Sequence, residues 1–108
     1  MSVLRRDNQV IQVRFVFHCK WCKAGEVAEL MSESISAMAE SLGAQRVSVL
    51  TDLSGPFNRV VQEIEVESLA EWEAARAKAF QRPEFLRSQE KMAKMIESGS
   101  AEFYTIEH

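Results

Sequence analysis

Five consecutive residues, His18-Cys19-Lys20-Trp21-Cys22, bring together the side chains of this chain best suited to chemistry. In a Cys-x-x-Cys spacing one thiolate can attack a substrate and the other can resolve the mixed disulfide. Lys20 and Lys23, with a helix expected to begin just after them, would favour the thiolate. The setting argues against that use: thioredoxin-like sites carry tryptophan ahead of the first cysteine, whereas Trp21 stands between the two. Cys19 and Cys22 therefore read first as packing residues and second as a redox pair. A closed zinc site needs four ligands. His18, Cys19 and Cys22 supply only part of that set and the other histidine is His108, so no metal is expected.

The elements around this stretch decide what else can converge on it. Ile11, Val13, Phe15 and Phe17 alternate with Gln12, Arg14, Val16 and His18, the period of two that marks a strand. After the cysteines the period changes. Val27, Leu30, Met31, Ile35, Met38 and Leu42 recur at helical steps, predicting a helix over 24–42 with Gly43 as its cap. Alternation resumes over Arg46–Leu53 and again over Arg59–Val66. Between them Ser54-Gly55-Pro56-Phe57 has turn composition, which predicts a hairpin. Ser68 and Glu71 have the spacing of a capping box. The helix they open should break near Pro83, resume from Glu84 and stop at Gly99. Glu102–Ile106 is expected to form a short last strand.

The order β-α-β-β-α-β predicts an α+β, ferredoxin-like fold: a four-stranded antiparallel sheet with the helices on one face. The first and third strands should be central, with Val60, Ile64 and Val66 joining the apolar side of the first. Gln62 and Thr51 are polar on that side; Gln62 could bond a ligand between helices and sheet, or be a satisfied buried amide. The other face should carry Arg14, Val16, His18, Leu50, Arg59, Val61, Glu63 and Glu65. Val16, Leu50 and Val61 would make an apolar centre inside a charged ring, as in an interface, although antiparallel sheets also leave such faces to water. His18 and Tyr104 are the candidate catalytic groups there, an imidazole and a phenol. Arg14, His18, Gln62 and Glu63 are the candidate ligand-binding residues. An interface ion network of Arg14 or Arg59 with Glu63 or Glu65 is preferred over catalysis.

The run from Leu69-Ala70-Glu71-Trp72 through Arg82-Pro83-Glu84-Phe85 to Glu102-Phe103-Tyr104 resembles the dimeric α/β-barrel superfamily, and its NIPSNAP-like branch in particular. Lys23-Ala24-Gly25 is similar to the start of that family's first helix. The resemblance implies one domain over 1–108, with 1–9 a lead-in, and a homodimer in which two sheets pack open face to open face. Its relatives include cofactor-free monooxygenases, degradation enzymes and members without known activity. The implied function is binding of a small organic molecule, possible catalysis included and no cofactor needed. The alternative is a non-catalytic dimeric interaction or structural module, with thiol redox or metal binding behind both.

Composition narrows the classes further. Over 108 residues, 46% hydrophobic and 27% charged is the balance of an ordinary globular domain. A net charge of −3 gives no basic face for nucleic acid. No run approaches the ~18 apolar residues of a membrane span, and Met1–Asn8 lacks the apolar core of a signal peptide. A cytoplasmic protein with itself as partner, and neither nucleic acid nor membrane, is the expectation.

Overall fold

The computed structural model describes residues 10–42, 46–55 and 57–107, without the side chains of 35–42. The elements in order are β1 (Ile11–Cys19), α1 (Ala24–Leu42), β2 (Arg46–Thr51), β3 (Arg59–Val66), α2 (Leu69–Ala79), α3 (Pro83–Ala93) and β4 (Ile96–Thr105). The sheet is antiparallel in the order β2-β3-β1-β4, so β1 and β3 are central as expected. This is the ferredoxin-like plan. Among the described residues no helix is long and apolar enough to cross a membrane.

Local chemistry accounts for the helix boundaries. Ser68 caps α2 by accepting a bond from the Glu71 amide at 3.1 Å, and Arg76 and Lys78 sit near the carbonyl end, where cations are favoured. Pro83 occupies the first turn of α3, where its missing amide costs nothing. The expected break thus separates two helices, with Phe80–Arg82 as the joint. Gly43, Pro56, His108 and the lead-in 1–9 lie outside the described residues.

Burial follows the alternation. Val13, Val60, Ile64 and Val66 are wholly or almost wholly buried under the helices. The core they form is in two parts. Val13, Ile64 and Val66 pack with Trp72 and Ala75 of α2. Cys19 and Val60 pack with Val27 and Met31 of α1 and Met92 of α3. Half-buried Val49 touches both parts.

Three boundaries depart from expectation. β2 ends at Thr51 and not at Leu53, which is fully exposed beyond it. α3 ends at Ala93 and not at Gly99, because the Met95 amide turns back to the Met92 carbonyl at 2.9 Å. The Met95 carbonyl then accepts from the Lys20 amide at 2.8 Å, which ties this turn to the loop after β1. Ile96, expected on the helix, instead opens β4, a strand of ten residues where a short one was expected. A bulge between His18 and Cys19 takes up the irregular register at its start.

Gly99 explains the misreading. It is a strand glycine opposite Phe17, and a Cβ there would lie 3.0 Å from the Phe17 ring and 3.1 Å from the Val16 carbonyl. Glycine is needed for close approach and not as a helix cap. Gly99→Ala is therefore expected to destabilise the fold by about 1 kcal/mol or more, although alanine is the better strand former. Urea unfolding measures it, and an unchanged or raised midpoint would remove this role.

Candidate functional site

Two surfaces of the sheet collect the residues of interest, and strand parity assigns each residue to one of them. Under the helices lies a cleft of about 430 Å³ between the two halves of the core. Phe15 and Gln62 face each other across β1 and β3 at its floor. The Phe15 and Phe17 rings are stacked 5.8 Å apart, and Trp72 of α2 leans on Phe15 at 5.8 Å. Phe80 and Phe85 meet edge to face at 5.1 Å across the α2–α3 joint and close one side. Met31 and Met92 provide deformable walls.

Polar groups are few here. Gln62 makes no side-chain hydrogen bond among the described residues, so its amide is open to the cleft. The Ser34 hydroxyl is already committed to the Leu30 and Met31 carbonyls of its own helix. Gln89 and Arg76 stand at the mouth. Volume, apolar lining and a small number of placed polar groups are the attributes of a small-molecule site.

The opposite face carries the ion network. Arg14 Nε lies 3.3 Å from Glu63 Oε2, and its Nη1 lies 3.2 Å from Glu102 Oε1. The Tyr104 hydroxyl donates to the same Glu102 oxygen at 2.9 Å. The two Arg14 ion pairs are partly solvated, so each contributes roughly 0.2–1 kcal/mol, more to register than to stability. Arg14, Glu63 and Tyr104 thus converge, while His18 lies two rows further along β1, opposite Arg59 and Ser98, roughly 13 Å away at strand spacing. Gln62 is on the far side of the sheet. The four candidate ligand-binding residues therefore divide: Arg14 and Glu63 together, His18 apart, and Gln62 in the cleft.

The cysteines separate as well. Cys19 is buried in the core, and burial first, then the Asp52 carboxylate, raises its thiol pKa. Cys22 is exposed in the loop with a positive φ of 63°, and both are free thiols. No group of three or more His, Cys, Asp or Glu side chains among the described residues is placed to hold a metal.

Sequence reasoning overlooked Glu102, Arg76 and Gln89. Arg76 carried a signal: Trp72, Arg76 and Phe80 stand at four-residue steps, a cation between two aromatics on one helix edge. Glu102 had none, because the length and register of β4 were hidden by Gly99. The network makes one measurable demand. Hydrogen bonding to Glu102, then desolvation and that carboxylate's charge, raise the Tyr104 pKa, while Arg14 opposes them. Tyr104 is the single tyrosine, so phenolate absorbance reads it alone. Glu102→Gln is expected to lower its midpoint toward the ordinary phenol value, and no change would show that the bond does not hold in solution.

Known structures place this geometry. A NIPSNAP family protein from Agrobacterium tumefaciens aligns with a TM-score of 0.82 at 19% identity, covering 93% of this chain and 88% of that one. An uncharacterised NIPSNAP-like domain protein from Burkholderia xenovorans gives 0.81 at 18% identity, over 93% and 87%. SnoaB, a cofactor-independent oxygenase from Streptomyces nogalater, gives 0.73 at 14% identity, over 93% and 95%. At such identities the likeness is one of fold. No curated protein matches. The NIPSNAP family model, in contrast, matches residues 13–106, which include the whole sheet core, the cleft and the ion network. On that match, the chain belongs to the NIPSNAP family.

Proposed function

We propose that this protein binds a small, largely apolar organic molecule in the helix–sheet cleft and does so as a homodimer joined through the open sheet face. The cleft carries the reading. Beneath the helices, where its neighbours on β1 and β3 are apolar, Gln62 keeps an open amide in an aromatic cleft of about 430 Å³. A structural module has no use for that arrangement, since filling the space with apolar side chains would be the more stable solution. Oxidation without a cofactor, as in the Streptomyces relative, would extend the reading to catalysis. The described lining offers no histidine, tyrosine, cysteine or carboxylate to move a proton. Binding is the function that these residues support best.

The open face supports the dimer. Leu50, Val61 and Val16 stand side by side across β2, β3 and β1, with Ser100 of β4 completing the row. Leu50, on the edge strand β2, is 43% exposed and continues a row whose Val61 and Val16 are each 8% exposed, while the neighbouring rows carry Arg14, Glu63, Glu102, Arg46 and Glu65. An apolar row within a charged rim matches the anatomy of an interface. Free thiols on both cysteines accord with a cytoplasmic home.

Two measurements test these statements. Calorimetric titration with methyl naphthoate, a neutral aromatic probe, is expected to show saturable binding that Gln89→Trp, a bulky change at the exposed mouth, abolishes. Absence of binding, or binding indifferent to that variant, would sink the cleft reading. Light scattering at micromolar concentration should give twice the 12.3 kDa chain mass, and Leu50→Glu should reduce it to one chain. A monomeric wild type would rule out the interface.

A further inference from the structure

Among the described residues that line the cleft, Arg76 is the one charged side chain; no aspartate or glutamate is among them. A molecule entering there meets a cation with no carboxylate set against it. The Arg76 guanidinium sits over the Phe80 ring, 5.4 Å from its centroid. Such a contact steadies the flat group by its face and leaves its in-plane N–H donors free. Those donors have the fork geometry that grips a carboxylate through two parallel hydrogen bonds. Glu73 stands one turn back on α2, yet Arg76 makes no ion pair among the described residues.

The other walls describe the body of the guest. Phe15 and Phe17 lie nearly parallel, 10° apart, and Trp72 is tilted 45° to Phe15, so the floor and one side offer ring faces and edges suited to a flat partner. Gln62 adds one amide at the floor, able both to donate and to accept. Resting on the reading of the cleft given above, we infer that the ligand is a planar aromatic acid. Its ring system lies against Phe15, Phe17 and Trp72 and its carboxylate engages Arg76 at the mouth. Gln62 is free to bond a ring hydroxyl or carbonyl at the opposite end. Arg76 is here a specificity-determining residue and the aromatic floor a general one.

The test compares naphthoate with its own methyl ester, two molecules of one shape that differ in charge, by calorimetric titration of the full chain. The acid is expected to bind roughly two- to fivefold more tightly than the ester, and added salt should weaken the acid alone. Arg76→Gln should bring the affinities of acid and ester together, and Arg76→Lys should restore part of the difference. Arg76 is exposed, so the change tests charge and not core packing. If acid and ester bind alike, or if the preference survives R76Q, the aromatic-acid inference falls and the cleft reading stands. If neither probe binds, both fall together.

Discussion

The structure depends on β1 being paired on both sides. Each of its residues must serve one of two faces, and the sheet's period of two decides which. Val13, Phe15 and Phe17 look toward the helices, and Arg14, Val16 and His18 look away. The same register carries the division into β3 and β4, placing Gln62 with Phe15 and Glu63 and Glu102 with Arg14. A slip of one residue would exchange the cleft for the ion network. Position, more than any unusual residue, therefore gives these side chains their roles.

The helix-facing side shows what such placement costs. A closed core would put a large aliphatic residue where Gln62 stands, and α2 would press onto it. Instead Trp72 packs with Val13, Ile64 and Val66 on one flank, and Met92 packs with Val27 and Val60 on the other. The short joint between α2 and α3 lets the two helices follow these separate flanks, with Phe80 and Phe85 meeting between them. Stability is drawn from the flanks, and the middle is left as the cleft. Arg76 stands where the first flank meets the mouth.

Much of this was legible in the chain. The alternation of β1 and β3, the Ser68 cap and the break at Pro83 each rest on local chemistry strong enough to survive folding, and the sheet order follows from them. The last strand was expected over Glu102–Ile106, but the first half of β4 was not legible, because Gly99 has two meanings. Beside a helical pattern it reads as a stop, and only the neighbouring strand shows that it makes room for Phe17. The site was legible in part. Arg14, Glu63 and Gln62 stood out as polar residues within apolar or alternating runs. What alternation could not tell was distance along the strand, which separates His18 from Arg14, or whether a cysteine beside a loop turns inward. Cys19 does so and Cys22 does not.

The two-part core also bears on motion. Side chains that pack as one body open as one body, and here the two parts are joined by Val49, by the shared strands, by the Phe15–Phe17 stack and by contact between α1 and α2. Were those joints weaker than the packing within each flank, amides on the two sides of the cleft would exchange with solvent at different rates. A guest seated between them would contact both flanks at once and couple those openings. An occupied cleft would tie the two half-cores into one cooperative unit.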